Sequence, residues 1–131
     1  LGLPIKIKQD VIFDYLYIND LIPVVEFFLK NKKYHGDFNI TPDQSVSLKE
    51  VAEIINKISK KPSKIRLENK KLNFQYSGNN LKLKSMFPNL KITSTENAIK
   101  ELYLYYNKTF KTIDKEDIIQ DKYFYKIKNK T

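Results

Sequence analysis

No cysteine occurs among the 131 residues, so a disulfide framework, thiolate metal sites and a cysteine nucleophile are all excluded. Histidine occurs once, at His35, in the polar stretch Lys32-Lys33-Tyr34-His35-Gly36-Asp37. That stretch reads as a solvated turn and gives His35 no catalytic or ligand role. Glycine is equally scarce. With only Gly2, Gly36 and Gly78 available, neither G-x-G-x-x-G nor G-x-x-x-x-G-K is present, so the chain has no phosphate-cradling loop of its own. No apolar run approaches the roughly 18 residues of a membrane span, and no charged-then-apolar leader opens the sequence. A soluble chain is therefore expected. It begins at Leu1 and has its only methionine at Met86, which leads to the expectation that it is a piece of something longer.

Hydrophobic residues make up 41% of the chain, enough to bury one modest core and not two. The net charge of +9 is unevenly spread. Residues 1–56 carry six lysines against eight acids, residues 57–91 ten cations against Glu68 alone, and residues 92–131 eight lysines against six acids. The middle block therefore suits an anionic partner, either a polymer or a small phosphate ester. Of 24 cations only Arg66 is arginine, the usual residue for bidentate phosphate or guanine recognition, which disfavours nucleic acid.

Apolar spacing gives an α/β reading with strands at Ile5–Ile7 and Asp14–Ile18, a helix whose cap is Asn19 or Asp20, and a further strand at Asp37–Thr41. In the first helix Leu21, Val24, Val25 and Phe28 share one face, and Phe27 and Leu29 widen it, so packing on two sides is expected. Pro42 to Ser45 reads as a loop. Ser47 and Glu50 form a capping box ahead of Leu48, Val51, Ala52, Ile55 and Ile58, a helix that ends before Pro62. Ile65 and Leu67 give a weak strand, residues 68–75 a lysine-rich loop, and residues 80–87 a short helix stopped by Pro88. A second capping box is expected at Thr93 and Glu96, before a helix that packs Ala98, Ile99, Leu102, Tyr103 and Tyr106. The remainder, 108–131, is a polar tail with a terminal helix expected around Ile118, Ile119, Tyr123 and Phe124. Such short strands need a larger sheet to join, and the broad apolar helix face needs a cover.

Four blocks in order carry a resemblance: Asp14-Tyr15-Leu16-Tyr17-Ile18-Asn19-Asp20-Leu21, then Asp37-Phe38-Asn39-Ile40, then Val46-Ser47-Leu48-Lys49-Glu50-Val51-Ala52, then Tyr76-Ser77-Gly78-Asn79-Asn80. With Phe87-Pro88-Asn89-Leu90 and the helix ending Leu102-Tyr103-Leu104-Tyr105-Tyr106, the series resembles the C-terminal part of the extended short-chain dehydrogenase/reductases. These are NAD(P)-dependent nucleotide-sugar epimerases, dehydratases and reductases. The resemblance covers roughly residues 3 to 107 and implies that residues 1–107 are the substrate-binding lobe that follows a Rossmann half, with 108–131 as its tail.

The resemblance also implies a division of labour. NAD or NADP, the Gly-rich loop and the family's Tyr-x-x-x-Lys pair would lie in the missing N-terminal Rossmann half. None of the nine tyrosines here has a lysine four residues later, so the chain is not expected to be catalytic alone. The partners implied are a nucleotide-sugar substrate, that Rossmann half and a second copy as homodimer, in a cytoplasmic enzyme of polysaccharide synthesis. Residues expected to contact substrate are Arg66, Lys70 and Lys71 for its anionic part, with Tyr76 and Asn79 beside them; Tyr76 to Asn80 reads equally well as the start of a short helix. One position departs from the family. An arginine that grips the diphosphate usually precedes the Asp-aromatic run, and here it is Phe13, which cannot neutralise phosphate. The competing reading is a small basic module that uses residues 57–91 on nucleic acid or an acidic protein.

Overall fold

The computed structural model describes residues 3–112 and 115–120. Its elements run β1 (Ile5–Gln9), β2 (Ile12–Phe13), α1 (Leu21–Lys30), β3 (Val46–Ser47), α2 (Leu48–Ile58), β4 (Ile65–Asn69), α3 (Leu81–Met86), α4 (Thr95–Lys108) and α5 (Lys115–Ile119). Single 3-10 turns sit at Ile18–Asp20 and Phe110–Thr112. The architecture is mixed α/β.

Two small sheets organise it. β1 and β4 are parallel, with Ile5 opposite Ile65, Lys6 opposite Arg66, Ile7 opposite Leu67 and Gln9 opposite Asn69. A parallel pair requires a crossover connection, and α2, which lies in that connection, packs against both strands. Alternation then turns Ile5, Ile7, Ile65 and Leu67 toward the helix, with Ile7 buried, and leaves Lys6, Lys8, Arg66 and Glu68 exposed on the far face. β2 and β3 are antiparallel, with Ile12 opposite Ser47 and Phe13 opposite Val46.

α2 starts as its sequence requires. Ser47 Oγ accepts the Glu50 backbone N–H at 3.1 Å, and Glu50 Oε2 accepts the Ser47 N–H at 2.6 Å, so two of the donors left free by the first turn are satisfied reciprocally. α2 then packs on α4, each helix burying an alanine, Ala52 and Ala98.

A separate apolar cluster joins α1 to α3. Val24, Leu83 and Leu90 are buried, with Phe28, Phe38, Ile40, Phe87 and Ile92 packed around them. Phe27 stacks on Phe87 with ring centroids 4.5 Å apart, and on Tyr34 at 5.5 Å. The opposite face of α1 is bare, with the 3-10 turn before it: Ile18, Ile22, Val25 and Leu29 are 66%, 57%, 53% and 69% exposed. The expectation of packing on two sides is thus met on one side only among the described residues.

Several expected boundaries move. Asp14–Ile18 is not a strand; the ladder is Ile12–Phe13, and the chain then turns through a 3-10 helix into α1. Asp37–Thr41 is irregular, and β3 at Val46–Ser47 is a two-residue ladder too short to carry a period. Asp20 caps nothing through its side chain. Its buried carboxylate instead accepts the Thr93 N–H on Oδ2 at 2.9 Å and the Thr93 hydroxyl on Oδ1 at 2.7 Å. With Thr93 so engaged, Ser94 takes the cap of α4, its Oγ accepting the Asn97 N–H at 3.4 Å. Tyr106 is 54% exposed rather than packed, whereas Tyr103 is half-buried and donates its hydroxyl to Ser59 Oγ at 3.2 Å. The terminal helix is the short α5; Tyr123 and Phe124 lie outside the described residues.

Candidate functional site

β1 and β4 run in the same direction, so both of their carboxyl ends, Gln9 and Asn69, open at one edge of the sheet. That edge is the usual ligand position in parallel sheets, since the loops leaving it converge over a common space. The two loops here are Asp10–Tyr17 and Lys70–Asn80, and they are laced together. The Asn73 N–H donates to the Asp10 carbonyl at 2.8 Å and the Tyr76 N–H to the Ile12 carbonyl at 3.0 Å. A parallel bridge pairs Phe13 with Tyr76, whose rings stack at 5.3 Å with planes 20° apart, and Tyr15 meets Phe13 edge-on at 5.9 Å.

Two aspartates hold this arrangement. Asp14 Oδ2 accepts the Gly78 N–H at 2.6 Å while its Oδ1 accepts the Ser45 hydroxyl at 2.6 Å, so one carboxylate ties the first loop to the second and to the approach to β3. Short bonds of this kind to an ionised acceptor are the stronger class. Asp10 Oδ1 accepts the N–H groups of Val11 at 3.1 Å and Lys49 at 3.0 Å, which anchors the first loop to the start of α2. Gly78 is pressed against Thr41: a Cβ built on it would lie 3.0 Å from Thr41 Cγ2, closer than most real Cβ contacts. The glycine therefore lets the second loop approach the segment before β3.

Residues 69–79 are exposed throughout, and within them Leu72, Phe74 and Tyr76 alternate at 56%, 82% and 59% exposure. An alternating apolar row that buries nothing is unusual for its environment. Lys70 and Lys71 stand at its start, both exposed, the Lys71 N–H donating to Asn69 Oδ1 at 3.0 Å. The site thus combines exposed aromatic rings with cations that take part in none of the four ion pairs seen among the described residues.

The five residues expected from sequence do not all meet here. Lys70, Lys71 and Tyr76 share the second loop. Arg66 lies on the outer sheet face opposite Lys6, about 13 Å along the chain from Lys70. Asn79 is committed to structure: its Oδ1 accepts the Leu81 N–H at 2.8 Å and its carbonyl accepts Asn39 Nδ2 at 3.3 Å. This favours the helix-start reading for Asn79, and Tyr76 lies outside α3. Phe13, noted in the sequence only as a departure, and Asp14, noted only as part of a block, prove central. Their partners on the second loop, Tyr76 and Gly78, lie more than 60 residues away, and no local pattern announces them.

The first loop also lines a mostly apolar cleft of about 540 Å³ with Tyr15, Tyr17, Ile18, Val51, Ile99 and Leu102. Tyr15 Oη is buried there without a hydrogen-bond partner among the described residues. Desolvation, helped by the nearby Asp10 charge, holds this phenol above its usual value. Tyr17 is also raised, chiefly because its hydroxyl donates to Glu101 Oε2 at 2.6 Å.

No group of three or more His, Cys, Asp or Glu side chains is placed to hold a metal ion among the described residues, and no helix among them is long and apolar enough to cross a membrane. The sheets among the described residues are two-stranded, and no Gly-rich strand-turn-helix is seen among those residues. Comparison with family models, with curated proteins and with solved structures found no match for the chain.

Proposed function

We propose that the chain is the substrate-side C-terminal region of an NAD(P)-dependent nucleotide-sugar epimerase, dehydratase or reductase. The observation that carries this reading is the Asp14 carboxylate. It joins the Asp14 block to Gly78 of the Tyr76 block and, through Ser45, to the residue just before the Val46 block, so two separated pieces of the resemblance meet at one point in space and a third begins beside it. Those pieces form the edge at which parallel strands present ligands. There the exposed rings of Phe74 and Tyr76 offer flat faces for a base or sugar, and Lys70 and Lys71 offer charge for phosphate.

In this reading the dinucleotide and the groups that move hydride and protons belong to an N-terminal Rossmann half. The cofactor supplies redox chemistry when bound there. This chain's residues bind and orient the nucleotide end of the substrate, and Asp14 and Asp10 keep the two loops in register. The uncovered row Ile18, Ile22, Val25 and Leu29, continuous with the cleft through Ile18, is the apolar surface offered to that half. The reading places the protein in the cytoplasm, where sugar nucleotides are made.

Phe13 departs from the family arginine, and its stacking on Tyr76 accounts for the exchange locally: an aromatic ring here supports another ring instead of gripping phosphate. Phosphate contact then falls to the second loop. Isothermal titration of UDP-, GDP-, CDP- and dTDP-sugars against the chain tests this. Binding of one of them, weakened about tenfold by Lys70→Ala or Lys71→Ala, supports the assignment. Equal affinity in both variants removes these lysines from the site, and no heat with any of the four overturns the substrate reading.

A further inference from the structure

The outer face of the β1–β4 sheet is unusual in its charge. Lys6 and Arg66 are direct neighbours in the parallel register, both exposed, and Lys8 and Lys64 extend the same phase along the two strands. Like charges set opposite each other destabilise a sheet. The carboxylates in that phase are Glu68 and, one residue past β1, Asp10, and none of the four cations takes part in the ion pairs seen among the described residues. Some helix lysines differ: Lys30, Lys49, Lys57 and Lys84 each meet a carboxylate, Glu26, Glu53, Glu96 and Asp43 respectively.

We infer that this face is an electrostatic guide that draws an anionic ligand toward the loops at the carboxyl edge of the sheet. The inference rests on the substrate reading above and names the ligand property that matters, the double negative charge of the diphosphate in a nucleotide sugar. It also gives Arg66 a role that its position supports: too far along the strand to share one phosphate with Lys70, it lies on the route to it. Lys6 and Arg66 stand about 10 to 13 Å from the ends of their strands, where the site begins. That is near one Debye length at 0.15 M salt and well inside the ~30 Å of 0.01 M salt. Coulomb's law at solvent-like dielectric then gives the two charges an effect on a dianion at the strand ends of about fourfold to sevenfold at 0.01 M ionic strength, and about twofold or less at 0.15 M, falling further along the loop. Steering acts on the association rate, so dissociation is untouched.

The absence of native cysteine supplies a direct test, because one introduced thiol is unique. In Gln75→Cys, at the exposed loop, the rate of reaction with dianionic 5,5′-dithiobis(2-nitrobenzoate) is divided by the rate with neutral 4,4′-dithiodipyridine. The guide predicts that Lys6→Gln with Arg66→Gln lowers this ratio about twofold to threefold at 0.01 M salt, that the difference closes at high salt, and that Lys32→Gln with Lys33→Gln, after α1, leaves the ratio within error. A ratio unmoved by the sheet-face pair, or lowered equally by the control pair, overturns the inference. Stopped-flow binding of N-methylanthraniloyl-UDP separates it from the substrate reading. A slower association at constant dissociation rate in the sheet-face variant supports both, and association unchanged overturns the guide alone. Failure of every variant to bind overturns the substrate reading while the thiol ratio still decides the field.

Discussion

Around Leu83 the chain is held by apolar contact, whereas the loop from Lys70 to Asn79 is held by polar bonds to Asp10 and Asp14. In the first region Val24 and Leu83 are each only 1% exposed, and the rings of Phe28, Phe38 and Phe87 close over them. In the second no residue is buried, and the loop's position depends on a few hydrogen bonds and one ring stack. The difference separates stability from placement. Removing a piece of the first region should lower the free energy of folding, and removing a piece of the second should loosen the loop with little effect on folding.

The largest effect is expected from Leu83→Ala. Deleting a fully buried leucine leaves a cavity and should cost about 2 to 5 kcal/mol by urea denaturation, with amide exchange in residues 70–79 rising no more than the global change requires. Asp20→Ala comes next. It strands the Thr93 N–H and hydroxyl and should cost about 3 kcal/mol; a double-mutant cycle with Thr93→Val should return most of that as coupling. Loss below 1 kcal/mol would mean that water replaces the carboxylate.

Asp14→Asn sharpens the contrast from the other side. It removes the charge from two short bonds and should cost only about 1 kcal/mol in global stability, while exchange of the Gly78 and Tyr76 amides accelerates selectively. Uniform acceleration across the chain would show that the loop is not separately held. Lys6→Gln should act in the opposite direction. Relief of its repulsion with Arg66 is expected to raise stability by about 0.2 to 1 kcal/mol, which is the signature of a charge pair kept for something other than folding.

The smallest effect concerns Asp43. Its hydrogen bond to Lys84, 2.5 Å away, helped by Asn80, holds its carboxyl below the ordinary 3.8. A depressed folded value means that the contribution is complete above the unfolded value and is lost as the pH falls through the folded one. Stability should therefore decline in acid slightly more in the parent than in Lys84→Met, a difference kept small by the exposure of both partners.

How far the sequence foretold this molecule follows from the range of the interactions. α2 was legible down to its cap because the Ser47–Glu50 box and the apolar period act within eleven residues. The β1–β4 pairing was half legible: alternation marked Ile5, Ile7, Ile65 and Leu67, but nothing local said that the strands are neighbours. Asp20 looked like a helix cap because capping aspartates occupy just such positions, and only the fold brings Thr93, 73 residues away, within reach. The cap of α4 then fell one residue later than expected for the same reason. At the site, the lysines and Tyr76 were visible as residue types in a charged loop. The Phe13–Tyr76 stack and the Asp14 bonds were not, because each joins segments that are adjacent only in space.

The most direct test of the account is a ¹H–¹⁵N NMR titration of the chain with a nucleoside-diphosphate sugar. The account predicts shift changes confined to the Lys70–Gly78 loop and the neighbouring Phe13 and Asp14 amides, and their loss in Asp14→Asn. Changes scattered over lysines of every surface, or none at millimolar ligand, would contradict it.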